Sequence, residues 1–283
     1  MTVAVTLGWS LTPLPILAAV AALVLFLRGF TRLRRRRPDL ARLYRAVLFS
    51  AAVVLATAAV VSPLHELGER YLLSAHMLQH VVVGDLAPAL AVVALRGPLL
   101  VFVVPATLLA ALARRPRLRS SLGWVVHPAG AFALWGSSLA LWHVPAVYDY
   151  AAAHEPVHVL QHTSFALFGT LAWVMLVDPA RRGVPGTSGK LAFALGMFVT
   201  GQLLGTTLIL AEHPLFPAYA LQPERLLGLS PLGDQDAAGL VMMVEQLLVL
   251  GTFAFWAIRT HLDEGERGAA SLALAEERHP LAT

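Results

Sequence analysis

The sequence predicts an all-α integral membrane protein: seven transmembrane helices, the N-terminus outside, and a non-crossing apolar segment after the third helix. Three observations carry this. Hydrophobic residues make up 57% of the 283-residue chain and charged residues only 13%, where a soluble domain carries about 25%. Seven apolar runs approach the ~20 residues that a helix needs to cross a bilayer. The basic residues also gather on one side of the alternating topology that those runs define.

The first run, residues 9–29, holds "LTPLPILAAVAALVLFL". No basic residue precedes this stretch, and the first, Arg28, comes directly after its last leucine. That charge order suits a retained span with its N-terminus outside rather than a signal peptide. Further spans are expected at 44–62, 71–95, 124–143, 156–178, 190–211 and 236–258. The apolar piece 97–113 is different. It is short, carries Pro98 and Pro105, and runs into the basic cluster "RRPRLR". If it crossed, that cluster would lie outside. If it does not, all 21 Lys+Arg except Arg70 and Arg225 lie inside, as the positive-inside rule requires. The basic residues thus act as orientation signals, and no nucleic-acid partner is expected; the bilayer is the partner they read. Residues 1–260 are expected to form one transmembrane domain, and 261–283 a polar, poorly ordered cytoplasmic tail. The chain has no cysteine, which excludes disulfides, thiolate metal sites and cysteine nucleophiles.

On this topology eight of the 11 histidines share one outer layer: His65, His76, His80, His143, His154, His158, His162 and His213. His127, His261 and His279 lie inside. Two of the outer segments, "SAHMLQH" and "EPVHVLQH", carry the same H-x-x-Q-H pattern. Pro63 stands 13 residues before His76, and Pro145 the same distance before His158. The two copies read as a repeated helical hairpin with a proline-started outer loop, offset by 82 residues, the parallel-repeat arrangement of many membrane proteins.

Histidines at i and i+4 share a helix face, with Cβ atoms roughly 5–6 Å apart. Each can give a ring nitrogen to a common metal, and the glutamine between them, Gln79 or Gln161, is placed to fix a ring tautomer. Two such helices side by side offer His76, His80, His158 and His162, and His143 and His213 reach the same layer. Imidazole suits copper, zinc, iron and nickel. The competing explanation is an inter-helix hydrogen-bond network or a proton relay. A bis-histidine haem is another, but it leaves the i, i+4 doubling unexplained. "HEPVH" at His154–His158 matches the letters of a zinc-protease motif, yet Pro156 suits the first turn of a helix and leaves His154 in the loop. Asp85 and Glu245 fall within spans, where acids are functional candidates; at 100° per residue Asp85 lies off the histidine face. Asp234 and Gln235, in "DQDAAG", read first as a helix cap and second as orienters of a metal site.

The segments "SPLHEL…SAHMLQH", "LWHVPAVYDYA…HEPVHVLQH" and "DQDAAGLVMM" together resemble the polytopic CtaG-type family of cytochrome c oxidase assembly factors, over residues 62–245. The resemblance implies a seven-helix protein of the bacterial cytoplasmic membrane. It implies a non-enzymatic assembly factor that binds copper and supports maturation of the oxidase copper centre. Its expected partner is a cytochrome c oxidase subunit or a copper chaperone. It carries over His76, Gln79, His80, His143, His158 and His162 as the site, with Asp234 and Gln235 behind them. This chain departs from the family pattern at Met243, where an aromatic is frequent, and follows it with Glu245 and Gln246. Copper enters through the resemblance alone, since zinc accepts the same ligands. The alternatives are a haem-binding electron-transfer protein and a metal-ion transporter.

Overall fold

The computed structural model describes residues 8–278 apart from residues 11 and 184; His279 lies outside them. All regular structure among the described residues is helical. Six stretches are long and apolar enough to cross a membrane: Pro13–Arg36, Leu43–Val61, Leu73–Ala94, Glu155–Val177, Thr187–Leu210 and Pro231–Glu266.

Helix α1 (Pro13–Arg36) starts on a proline in its first turn and ends in Arg34, Arg35 and Arg36, cations that suit a helix C-terminus. Helix α2 (Leu43–Val61) returns, and α3 (Pro63–Arg70) is a short helix capped by Ser62, whose side chain accepts from the Leu64 N–H. The third span is two helices, α4 (Leu73–Val81) and α5 (Ala87–Ala94), joined by a π turn at Val82–Leu86. There the Ala87 N–H reaches Val82 C=O. Pro88 supplies the cause: it has no N–H to give to Gly84, so the ladder widens by one residue.

Residues 97–113 form α6 (Pro98–Val103) and α7 (Ala106–Ala113), broken at Val104–Pro105. At 1.5 Å per residue these are about 9 and 12 Å long, far short of ~30 Å of hydrocarbon. Helix α8 (Pro116–Val125) leads into α9 (Pro128–Trp142), whose 15 residues are fewer than in the six long stretches. Helix α9 starts where Arg182 reaches Val126 C=O and ends at His143 in the histidine layer. After α10 (Pro145–Ala153) come α11 (Glu155–Val177) and α12 (Thr187–Leu210). The short α13 (Pro217–Ala220) precedes α14 (Pro231–Arg278). Ser230 is the N-cap of α14, accepting from the Gly233 N–H at 3.0 Å. Helix α14 does not stop at the edge of its span; it continues through the expected tail to Arg278.

The repeat has structural substance. Helices α3 and α10 both begin on the proline, Pro63 and Pro145, within two or three residues of the end of the preceding hairpin arm. Helices α4 and α11 begin at Leu73 and Glu155, again 82 positions apart. Only the first copy has the π turn. The described N-terminal residues lie at the same face as α3: Ser10 N–H donates to Val61 C=O at 2.9 Å and Gly8 N–H to Glu66 Oε2 at 2.8 Å.

Candidate metal centre

The third span packs against α11 through its π turn and α5, and glycine sets how close. A Cβ at Gly169 would collide with the carbonyl oxygen of Gly84, so the backbones meet at a contact that only small residues permit. The histidines sit just above this crossing and face one another. His76 Nε2 lies 2.9 Å from His80 Nε2 and 3.4 Å from His158 Nε2. The His162 ring stands 5.1 Å from that of His80 and 4.3 Å from that of His158, centroid to centroid. Ring nitrogens of His76, His158 and His162 all fall within 4.8 Å of one another. Two nitrogens on one metal, each at about 2.0–2.1 Å, lie about 3–4 Å apart; the His76–His158 separation is of that size.

The partners of the other ring nitrogens fix the tautomers. Tyr219 O–H donates to Gly68 C=O at 2.6 Å. Its oxygen therefore accepts from His76 Nδ1–H at 2.8 Å, with Tyr148 O–H alongside at 3.1 Å. Burial pushes both phenols up, so both keep their protons. His158 Nδ1 lies 2.9 Å from Glu69 Oε1, so its Nδ1 proton faces the carboxylate. Burial works to raise the Glu69 carboxyl, but the hydrogen bond from His158 and the nearby His65 and Arg70 hold it below its ordinary value. His143 Nδ1–H donates to Leu139 C=O at 2.8 Å. In all three rings the Nδ1 proton is taken, and Nε2 carries a lone pair. His80 must then give its Nε2 proton to His76, leaving its buried Nδ1 without a partner. His76 Nε2 thus accepts from His80 and also faces His158 Nε2 at 3.4 Å, so three ring nitrogens converge on one point.

A family model described as cytochrome c oxidase caa3 assembly factor (Caa3_CtaG) matches residues 24–264. The chain belongs to this family. No curated protein and no solved structure matches it.

In this caa3 assembly-factor chain, the other residues singled out from sequence take varied places. His143 is buried, but its ring is 6.4 Å from that of His80, one ring removed from the cage. His213 is exposed and stands apart from the cage. His154 is also exposed; it precedes α11 as its N-cap and bonds Tyr150 C=O through Nδ1, so "HEPVH" puts no pair of histidines on one helical turn. Gln79 was expected to orient its motif histidines. Instead its amide donates to Ala59 C=O at 2.7 Å and approaches His65 Nδ1 at 3.2 Å. His65 Nε2 in turn lies 3.1 Å from Glu69 Oε1. Gln79 thus acts on the cage through His65 and Glu69. The reason is geometric: i+3 turns its side chain toward α2 and α3 rather than toward α11. Gln161 is buried, with its Nε2 unpartnered.

Asp234 corrects the capping expectation. It does not cap α14, the role of Ser230. Its carboxylate reaches across to the start of α4, accepting from Leu73 N–H at 2.7 Å, Ser74 N–H at 3.1 Å and Ser74 Oγ–H at 2.5 Å. It caps a histidine helix from another helix. Gln235 accepts from Leu215 N–H at 2.6 Å and donates to Leu208 C=O at 2.9 Å, tying the α12 end and its loop to α14.

Asp85 also differs from the helical-wheel expectation. The π turn brings it back toward the side of His80, and both line one cavity. Residues that the sequence reading missed complete the setting: Glu69, Tyr148 and Tyr219. For Glu69 there was a signal, since His65 and Glu69 are an i, i+4 pair in "HELGE". The tyrosines carried none, because only the fold brings Tyr219 to His76.

Proposed function

We propose that the protein binds copper in this cage at the outer membrane face and supports maturation of the caa3 oxidase copper centre. Copper is cargo here, held by His76, His80, His158 and His162. The observation that carries the reading is the meeting of Nε2 atoms at 2.9 and 3.4 Å, with Nδ1 of His76 and of His158 facing Tyr219 and Glu69. Oriented, neutral imidazoles are what a metal requires. The family supplies the assembly role and with it the oxidase as partner; such a role calls for no catalytic step. Counting α9 as a crossing gives seven spans, and the N-terminus and the cage then share the outer face. Room argues against haem: the space between α4 and α11 is filled by imidazoles and Phe165, whose ring lies 4.7 Å from that of His80.

The test is copper titration of the purified, chelator-stripped protein in detergent, beside oxidase activity in cells. Wild type and the inner-side control His127→Ala should bind copper tightly. The His80→Ala, His162→Ala double variant should lose tight binding and lower oxidase activity while remaining folded. Unchanged copper binding in the double variant would overturn the proposal.

A further inference from the structure

Below the cage, between α4, α9, α11 and α14, lies a cavity of about 50 Å³. His80, Asp85, His143, Glu245 and Gln246 line it, with Trp135, Phe165 and Met242 among the apolar walls. Five buried atoms of these polar residues have no protein partner: His80 Nδ1, His143 Nε2, both carboxylate oxygens of Glu245, and Gln246 Oε1. The tautomers assigned above make both imidazole nitrogens lone pairs. Glu245 presents a carboxyl with neither oxygen partnered, and the Gln246 oxygen is a further acceptor. Asp85 accepts from Trp173 Nε1–H and adds a second carboxylate. A space at membrane depth lined by unpartnered buried polar atoms is costly unless something fills it, and acids in a span are functional candidates.

We propose that this cavity is a second metal station, taking a partly hydrated divalent transition-metal ion. The inference rests on the cage being a metal site. The set of imidazole, carboxylate and amide oxygen fits a borderline divalent cation. Two carboxylates balance its charge. The donors surround a space rather than meet at a point, and the volume holds an ion with roughly one or two waters. His80 links the stations, with Nε2 in the cage and Nδ1 facing the cavity. When an ion takes its Nε2, the ring proton moves to Nδ1. The lower ion is then held by His143, Glu245, Gln246 and Asp85, and His80 stands between the two. A path from the outer face into the membrane results.

The probe is Cu²⁺ added stepwise to the stripped protein, read by calorimetry and electron paramagnetic resonance. Wild type should take two equivalents, the first with an all-nitrogen signature and the second with mixed nitrogen and oxygen. Glu245→Gln and His143→Ala should each weaken the second at least tenfold and leave the first unchanged, which also shows that the variants are folded. Asp85→Asn should weaken the second as well. Glu69, Glu155 and His158 form another close donor group at the rim, so Glu155→Gln is the control and should keep both equivalents. One equivalent in wild type, as expected if the cavity holds only water and a proton, overturns the second station and leaves the cage intact. A second equivalent lost in Glu155→Gln but kept in Glu245→Gln overturns it too. No binding at all defeats the cage reading itself.

Discussion

A histidine ligates well only if its other nitrogen is held, and the holders here are not histidines. Tyr219→Phe removes the acceptor for His76 Nδ1–H while keeping the ring that packs on Tyr148. Copper affinity should fall by roughly 10–100-fold, measured by competition with a chelator; an unchanged affinity would mean that Tyr219 is packing alone. Glu69→Gln should likewise weaken binding at neutral pH. Glu69 has its carboxyl below the ordinary value. A depressed carboxyl contributes its stabilisation above the unfolded pKa and loses it only as pH falls through the lower folded value, below about pH 4.5. Glu69→Gln should therefore lower the affinity at neutral pH without changing the number of protons that copper displaces from the imidazoles. The sequence showed the histidines plainly, because i, i+4 spacing is a local signal. It could not show Tyr219, which lies 143 positions from His76.

At the scale of elements, two devices place the histidine helices. One is the Asp234 carboxylate on the free N–H groups of α4. Asp234→Ala should cost about 0.5–2 kcal/mol, the size of a lost cap, seen as a lower Tm. It should also weaken copper binding, since the first turn of α4 holds His76. Asp234→Asn should recover part of both, because its amide oxygen still accepts; no recovery would show that charge rather than capping matters. The other device is the close crossing of Gly84 and Gly169, which leaves no room for a side chain between the pairs. Of these elements, the repeat was legible: two prolines, two H-x-x-Q-H segments and one offset of 82 recur in the helix starts. The π turn was not. Pro88 announces a break in the ladder, but the local sequence does not say whether a helix kinks, stops or widens there. The helical wheel therefore sent Asp85 to the wrong side.

For the whole molecule, orientation decides what the cage can serve. A copper site can supply an extracytoplasmic centre only if it faces outward. The fold puts α3, α10 and the histidines at one face, and the breaks at Val104–Pro105 and before Pro116 put α7 and α8 among segments too short to cross. Pro98, Pro105 and the basic cluster marked the short segments in the sequence; the side on which they lie is what loop charge predicts and what labelling decides. The lengths of α9 and α14 were not legible, since hydropathy marks apolar runs and not where a helix stops. The chain lacks cysteine, so single cysteines report cleanly. Ala152 on α10 and Arg117 on α8 are both exposed and outside the cage. With a membrane-impermeant thiol reagent on intact cells, Ala152→Cys should react and Arg117→Cys should not, until the membrane is opened. Reaction of Arg117→Cys from outside would mean that the 97–113 segment crosses and carries its basic cluster out, against the charge asymmetry. A silent Ala152→Cys would turn the cage toward the cytoplasm. Copper bound there would sit on the wrong side of the bilayer from the centre it is proposed to fill, and delivery would fail even if every ligand were correct.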